Sequence, residues 1–232
     1  MLPKNHDPIL QFLEILIRLL LTHLEGRQDL ADDIYEQYTN YTATSPLRTY
    51  LDPERAFATG IIMLFLGRFD YAISTLQDAI EFINDEYNVS PKNPLVRYHE
   101  YLIIVYVNYL RERRLDAKND IQFKDISHSI EILDKALIDS EGKENDFLYK
   151  RYQGILALAY EAASRYVCLM KNGDSIEIEQ HTVQLITPRL RKSLVERYFT
   201  KAKTFYQQAF GDNLPDSFKQ WEDELIKYDF CG

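Results

Sequence analysis

Five histidines, His6, His23, His99, His128 and His181, are the side chains best suited to moving protons or binding metal near neutral pH, and their spacing decides whether they do either. None falls in H-E-x-x-H or another paired zinc spacing, and His99 and Glu100, though adjacent, point to different parts of one helix. They read as structural or surface histidines. The carboxylate pairs Asp32-Asp33 and Asp85-Glu86 have the right type for acid/base work, but no nucleophile or histidine accompanies them in sequence. There is no G-x-S-x-G and no Cys/His signature. Gly60 and Gly67 lack the G-x-x-x-x-G-K-[ST] frame and the preceding strand that a phosphate loop needs. Cys168 and Cys231, the two cysteines, sit in no C-x-x-C spacing, and the expectation is free thiols in a reducing compartment. No catalytic, metal or cofactor residue is therefore assigned, and the chain is expected not to be an enzyme.

Charge narrows the partners. The formal net charge is -9, which makes a nucleic acid unlikely, because phosphate-backbone affinity comes from clustered positive surface. Up to Ser90 there are 6 Lys+Arg against 14 Asp+Glu, and beyond it 21 against 22. Basic residues do gather at Arg111 to Arg114 and along Arg189, Arg191, Lys192, Arg197, Lys201 and Lys203. These could meet an acidic peptide or a nucleic acid, but a solvated face or ion pairs with the acidic N-terminal half is the better reading. The apolar run Ile9 to Leu21 is interrupted by Gln11, Glu14 and Arg18 at helical spacing, so it reads as a buried first helix and neither a membrane span nor a signal peptide. A cytoplasmic protein with no membrane contact is expected.

The elements that must carry any site are helices. Gly 8 and Pro 8 are few, whereas Tyr 17 and Phe 12 make the chain rich in large side chains, a poor recipe for an all-β fold with many tight turns. Asp7-Pro8, Asp52-Pro53, Asn93-Pro94 and Thr187-Pro188 each place a capping side chain before a proline whose fixed φ suits a first helical turn. Apolar residues recur with period 3.6, as in Leu76, Ala79, Ile80 and Ile83. Nine helices follow: Pro8 to Leu24, Gln28 to Tyr41, Glu54 to Leu66, Phe69 to Asn84, Pro94 to Arg113, Phe123 to Asp139, Asp146 to Lys171, Pro188 to Phe210 and Ser217 to Tyr228. Leu115 to Gln122 reads as a loop. Ser175 to Ile186 alternates apolar and polar residues as a small hairpin would, with a helical turn or a flexible loop as alternatives. Long insertions in helical arrays often carry function.

Between Gly60 and Ile80 the spacing is more particular. Gly60 and Ala72 are twelve apart, Gly67 precedes Ala72 by five, and Leu76, Ala79 and Ile80 follow. Small residues there let two antiparallel helices approach, while Phe69, Leu76 and Ile80 fill the wedge between neighbouring pairs. This stretch resembles the tetratricopeptide repeat, a helical hairpin with a small residue in its first helix, a Gly-x-aromatic turn and an Ala-rich second helix. It departs from that pattern at Ala56, where a large aromatic is usual. Weaker echoes occur at Gly26, Ala31 and Tyr35, at Ser129, Leu133, Ala136 and Leu137, and at Ala202, Tyr206, Ala209 and Phe210. The resemblance implies an all-α solenoid of antiparallel hairpins in a single domain spanning 1–232, with units at roughly 8–41, 53–84, 94–139 and 146–210. A cap at 215–228 would bury Phe218, Trp221, Leu225 and Ile226.

In the resembled family the first helices of the pairs line a concave groove that takes a peptide or a partner helix. Carried onto this sequence, the groove residues are Phe57, Ile61 and Leu64 in the second unit, Arg97, Glu100, Ile104 and Asn108 in the third, and Arg151 and Leu158 in the fourth. The basic-and-asparagine clamp for chaperone C-termini is missing, because its places hold Phe57 and Ile61, or Glu100 and Ile104. The resulting expectation is a non-catalytic protein-interaction module, an adaptor, scaffold or assembly factor. A peptide- or ligand-sensing regulatory domain of a signalling system, or a secretion-type chaperone, is the alternative.

Overall fold

The helix signals in the sequence become eight helices and one β-hairpin among the described residues of the computed structural model, which are 14–15, 17–18, 21, 33–34, 36–37, 52–81, 94–112, 114–141, 146–178 and 182–227. The first two expected helices fall mostly outside that set. Their described residues are helical, with Ile15 and Ile34 buried, but Ile17 at 55% and Leu21 at 51% are exposed, so the first helix is not buried as expected at its described positions. The cap expected at Asp7-Pro8 and the degenerate unit around Gly26 lie outside the described residues. Two compact units divide the chain, 1–84 and 85–232.

In the first unit, α1 (Asp52–Phe65) and α2 (Phe69–Glu81) form an antiparallel hairpin. A Cβ built on Gly60 would lie 2.5 Å from the Leu76 Cγ, so only glycine admits the second helix at this separation. Gly67 turns the chain with φ 67, and its N–H donates to the Leu64 carbonyl at 3.0 Å. Phe69, Ala72, Ile73, Leu76 and Ala79 are buried along one face of α2.

The second unit begins with α3 (Pro94–Glu112) and a short α4 (Arg114–Asp120), followed by α5 (Phe123–Ser140) and α6 (Asp146–Leu169). Strands β1 (Ser175–Ile178) and β2 (Thr182–Leu185) pair antiparallel, with Ser175 opposite Leu185 and Ile178 opposite Thr182. Helices α7 (Pro188–Phe210) and α8 (Asp216–Lys227) complete the unit. The threonine cap is made as its sequence requires: Thr187 Oγ1 accepts from the Leu190 N–H at 3.2 Å, and proline opens α7. Helix α6 is central. It packs on α3, α5 and α7, and Leu156, Ala157, Ala159, Ala162, Ala163 and Val167 are fully enclosed around it. Its alanines present little bulk, which lets α7 lie close along it.

Three further expectations need correction. Residues expected to loop between Leu115 and Gln122 instead hold α4, whose seven residues are too few to show a helical period. Ile226 is 73% exposed rather than buried, because Phe218, Trp221 and Leu225 already fill the inward stripe of α8 and the next residue turns away by about 100°. The segment after α6 takes the hairpin alternative that its alternating pattern offered, in a unit that is otherwise helical among the described residues. Cys168 is disulfide-bonded rather than a free thiol, a pairing that local motif spacing does not reveal; the sequence's other cysteine, Cys231, lies outside the described residues.

Candidate functional site

The expected groove residues sort by unit. On α1, Phe57, Ile61 and Leu64 share one stripe; Phe57 is enclosed, whereas Ile61 and Leu64 are half-buried. In the second unit, α3 and α6 lie against each other. Arg97 is exposed and Tyr101, Ile104 and Asn108 are half-buried along one side of α3; Arg151 is exposed and Ile155 and Leu158 are half-buried along α6. Spacings of three and four keep each set on one face. Glu100 sits at the seam between the two helices, only 3% exposed.

Glu100 is held there by Arg151. The guanidinium donates to both carboxylate oxygens, Nε to Oε1 at 3.0 Å and Nη2 to Oε2 at 2.5 Å. Burial pushes the Glu100 pKa up, opposed by the Arg151 hydrogen bonds and by the charges of Arg151 and Arg97. The hydrogen bonds to Glu100 in turn raise Arg151. A forked, charge-assisted pair of this kind fixes the spacing of two helices and supplies polar character to the α3/α6 face. Phe57 and Glu100 are thus interior groups, and the outward face consists of the half-buried and exposed members.

The opposite side of α6 holds a concavity that the sequence did not announce. Tyr160 lies about 140–200° around the helix from Arg151, Ile155 and Leu158. It floors a cleft of about 640 Å³ bounded by α5, α7 and β1. Its ring belongs to an aromatic column, 6.4 Å from Tyr198 and 5.6 Å from Phe205 between centroids, both stacked. Lys201 Nζ stands 4.8 Å from the Tyr160 centroid, a cation on an aromatic face. The Tyr160 hydroxyl donates to Asp134 Oδ2 at 3.4 Å. Burial raises the pKa of Asp134, with the Lys201 charge and the Tyr160 hydroxyl acting the other way. One end of the cleft is closed by Glu177 and Ile178 of the hairpin.

The missed helix α4 positions that hairpin. Lys118 Nζ donates to Asp174 Oδ2 at 2.5 Å, and the same oxygen accepts from the Lys171 N–H at 2.8 Å. These bonds hold the Asp174 pKa below its usual value. Reciprocal backbone bonds, Gly173 N–H to the Ile186 carbonyl and Ile186 N–H to the Asp174 carbonyl, both 2.8 Å, close the base of the hairpin. Ile176 is buried beneath it. No local pattern joins these parts, since α4, β1 and the outer face of α5 each read alone as polar surface.

Two polar clusters resemble chemistry but are interior. His99 Nδ1 and Ser129 Oγ are 2.9 Å apart, the contact of a nucleophile with its base. Ser129 Oγ, however, donates its single proton to the Asp125 carbonyl at 2.8 Å, so His99 must carry its proton on Nδ1 and donate to the serine. The His99 Nε2 is then a bare acceptor, buried without a hydrogen-bond partner among the described residues. Both residues are enclosed, His99 at 2% and Ser129 at 0% exposure, and no substrate reaches them. Burial, with the neighbouring His128, lowers the His99 pKa to about 3.

In the other cluster, Glu161 accepts from Arg111 at 3.0 and 2.7 Å, from Arg165 Nε at 2.7 Å and from the Tyr206 hydroxyl at 2.7 Å. Burial pushes this carboxyl up, but the Arg111 bonds, the two guanidinium charges and Tyr206 bring it below its ordinary value. Arg165 also lies 4.5 Å from the Trp221 ring centroid and donates to the Ser217 carbonyl at 3.2 Å, tying α8 to the cluster. Arg111, first of the basic run in the sequence, is therefore part of a buried ion pair.

Among the described residues no group of three or more His, Cys, Asp or Glu is placed to hold a metal ion, and no helix is long and apolar enough to cross a membrane. Compared with known proteins, the chain matches no family model, no curated protein and no solved structure.

Proposed function

We propose that the chain is a non-catalytic protein-interaction module of the tetratricopeptide kind, whose first-helix face receives a peptide or partner helix. The observation that carries this reading is the packing of α6 on α3, α5 and α7, which sets two helical hairpins in succession with their first helices, α3 and α6, side by side. The exposed stripe across them pairs apolar Ile104, Ile155 and Leu158 with polar Arg97, Asn108 and Arg151. Such a surface suits an amphipathic helix or an extended segment, apolar contacts giving affinity and a few polar groups fixing register. An adaptor, scaffold or assembly factor would use it directly. The disulfide at Cys168 weighs against the reducing cytoplasm as the compartment, since structural disulfides persist in oxidising environments.

Selection from a displayed peptide library against the whole protein tests the reading. Peptides retained by the wild type are expected to lose at least about tenfold in affinity to Ile104→Asp or Leu158→Asp, a burial loss of about 1.4 kcal/mol or more, with helicity unchanged. Ile61→Asp tests the α1 stripe separately. Selected peptides that bind all three variants as well as wild type would remove the first-helix assignment.

A further inference from the structure

The cleft on the other side of α6 combines three features that its structural role does not require. It is long: the α5 wall from Lys124 to Asp134 is ten helical rises, about 15 Å, enough for four to five residues of extended chain. Its volume, about 640 Å³, lies within the range of sites that enclose small ligands or short peptide segments. Its chemistry has a direction. Asp125, Glu131, Asp134 and Glu177 face Lys124, Lys201 and His128 around a floor of Tyr160 and Tyr198, and Arg197 lies 5.9 Å from the Tyr198 ring centroid, so four carboxylates meet three permanent cations. Lys201 already rests on the Tyr160 ring, which shows that this floor accommodates a cation.

A planar guanidinium fits these features better than other groups. It stacks on tyrosine rings, is weakly hydrated, and presents a fork of N–H donors that matches a carboxylate. We propose that the cleft between α5 and α7 is a second binding site, which takes an arginine-bearing extended segment of a partner polypeptide, the guanidinium taking the place of Lys201 beside Tyr160 and donating to Asp134. Lys201 acts as an internal placeholder that a ligand arginine must displace. Strand β1, which closes the cleft with Glu177 and Ile178, is then part of a binding surface, and this site stands whether or not the α3/α6 face binds a peptide.

Titration calorimetry on the full chain tests the proposal with capped tetrapeptides of sequence Ala-Arg-Arg-Ala, Ala-Glu-Glu-Ala and Ala-Leu-Leu-Ala. The arginine peptide is expected to bind and the other two are not. Asp134→Asn should weaken that binding about tenfold, whereas Lys201→Met, by vacating the Tyr160 face, should tighten it several-fold. Opposite signs from two neighbouring substitutions are not produced by general loss of structure, which circular dichroism checks independently. Because the chain carries net charge -9, Asp223→Asn on the exposed surface of α8 is the charge-matched control and should change little. Equal weakening by Asp223→Asn, preference for the glutamate or leucine peptide, indifference to Asp134→Asn, or no arginine binding at millimolar concentration would each overturn the assignment.

Discussion

The two long sides of α6 treat charge differently. Toward α3, each buried carboxylate meets a guanidinium: Glu100 is forked by Arg151, and Glu161 is enclosed by Arg111, Arg165 and Tyr206. Toward the α5/α7 cleft, Asp134 has, among the described residues, a long bond from Tyr160 and the nearby charge of Lys201, and burial raises its pKa. Full pairing marks architecture, where a polar group is tolerated because its partners are fixed by packing. Partial pairing beside open volume marks a place where something else can complete the set.

The largest expected effect follows from breaking the fully paired side at its centre. Glu161→Ala leaves two guanidiniums and a tyrosine hydroxyl without their acceptor in the interior, and should cost about 3–5 kcal/mol, read as a lower urea midpoint with unchanged slope. His99 extends the comparison to pH. Its folded pKa, about 3, lies below the ordinary value of 6.5, so the unfolded chain takes up a proton that the folded chain refuses. Stability should therefore be intact above pH 6.5 and fall as the pH drops toward 3, by about 3 kcal/mol at pH 4. In His99→Gln this part of the acid-side decline should disappear from a series of urea melts.

A smaller loss is expected where the pair reaches solvent. Arg151→Met, at a side chain 41% exposed, should cost about 1–2 kcal/mol, because Glu100 stays buried but can protonate. The smallest contrast concerns close helix approach. Gly60→Ala would drive a methyl group into Leu76 and should lower the melting temperature by a few degrees, about 1 kcal/mol net of its better helix propensity. Gly154→Ala meets the half-exposed Phe210 ring at 3.3 Å and should be near neutral, since that ring can move.

These contrasts also explain what the sequence made legible. Period-3.6 apolar spacing and the proline-preceding caps located the seven described long helices to within a few residues, because helix burial and capping are local properties. Gly60 and Gly67 announced the α1/α2 hairpin through the backbone approach and left-handed turn that glycine permits. That Arg97, Ile104 and Asn108 share one face of α3 was legible from their helical spacing. Pairings between distant positions were not: Arg111 with Glu161 spans 50 residues and Lys118 with Asp174 spans 56, and nothing in the local sequence of either partner marks the other. The cleft depends on such pairings throughout. Its wall on α5 has the alternation of an ordinary solvated face until α4 and the hairpin bring Glu177 and Ile178 across its end.

The measurement that bears most directly on the interaction reading is methyl-labelled NMR of the whole protein titrated with a library-selected peptide. The account predicts shift changes concentrated at Ile104, Ile155 and Leu158, with Ile73 and Leu76 in the interior of the first unit unmoved. A peptide that binds while leaving those three methyl-bearing residues unchanged would contradict it.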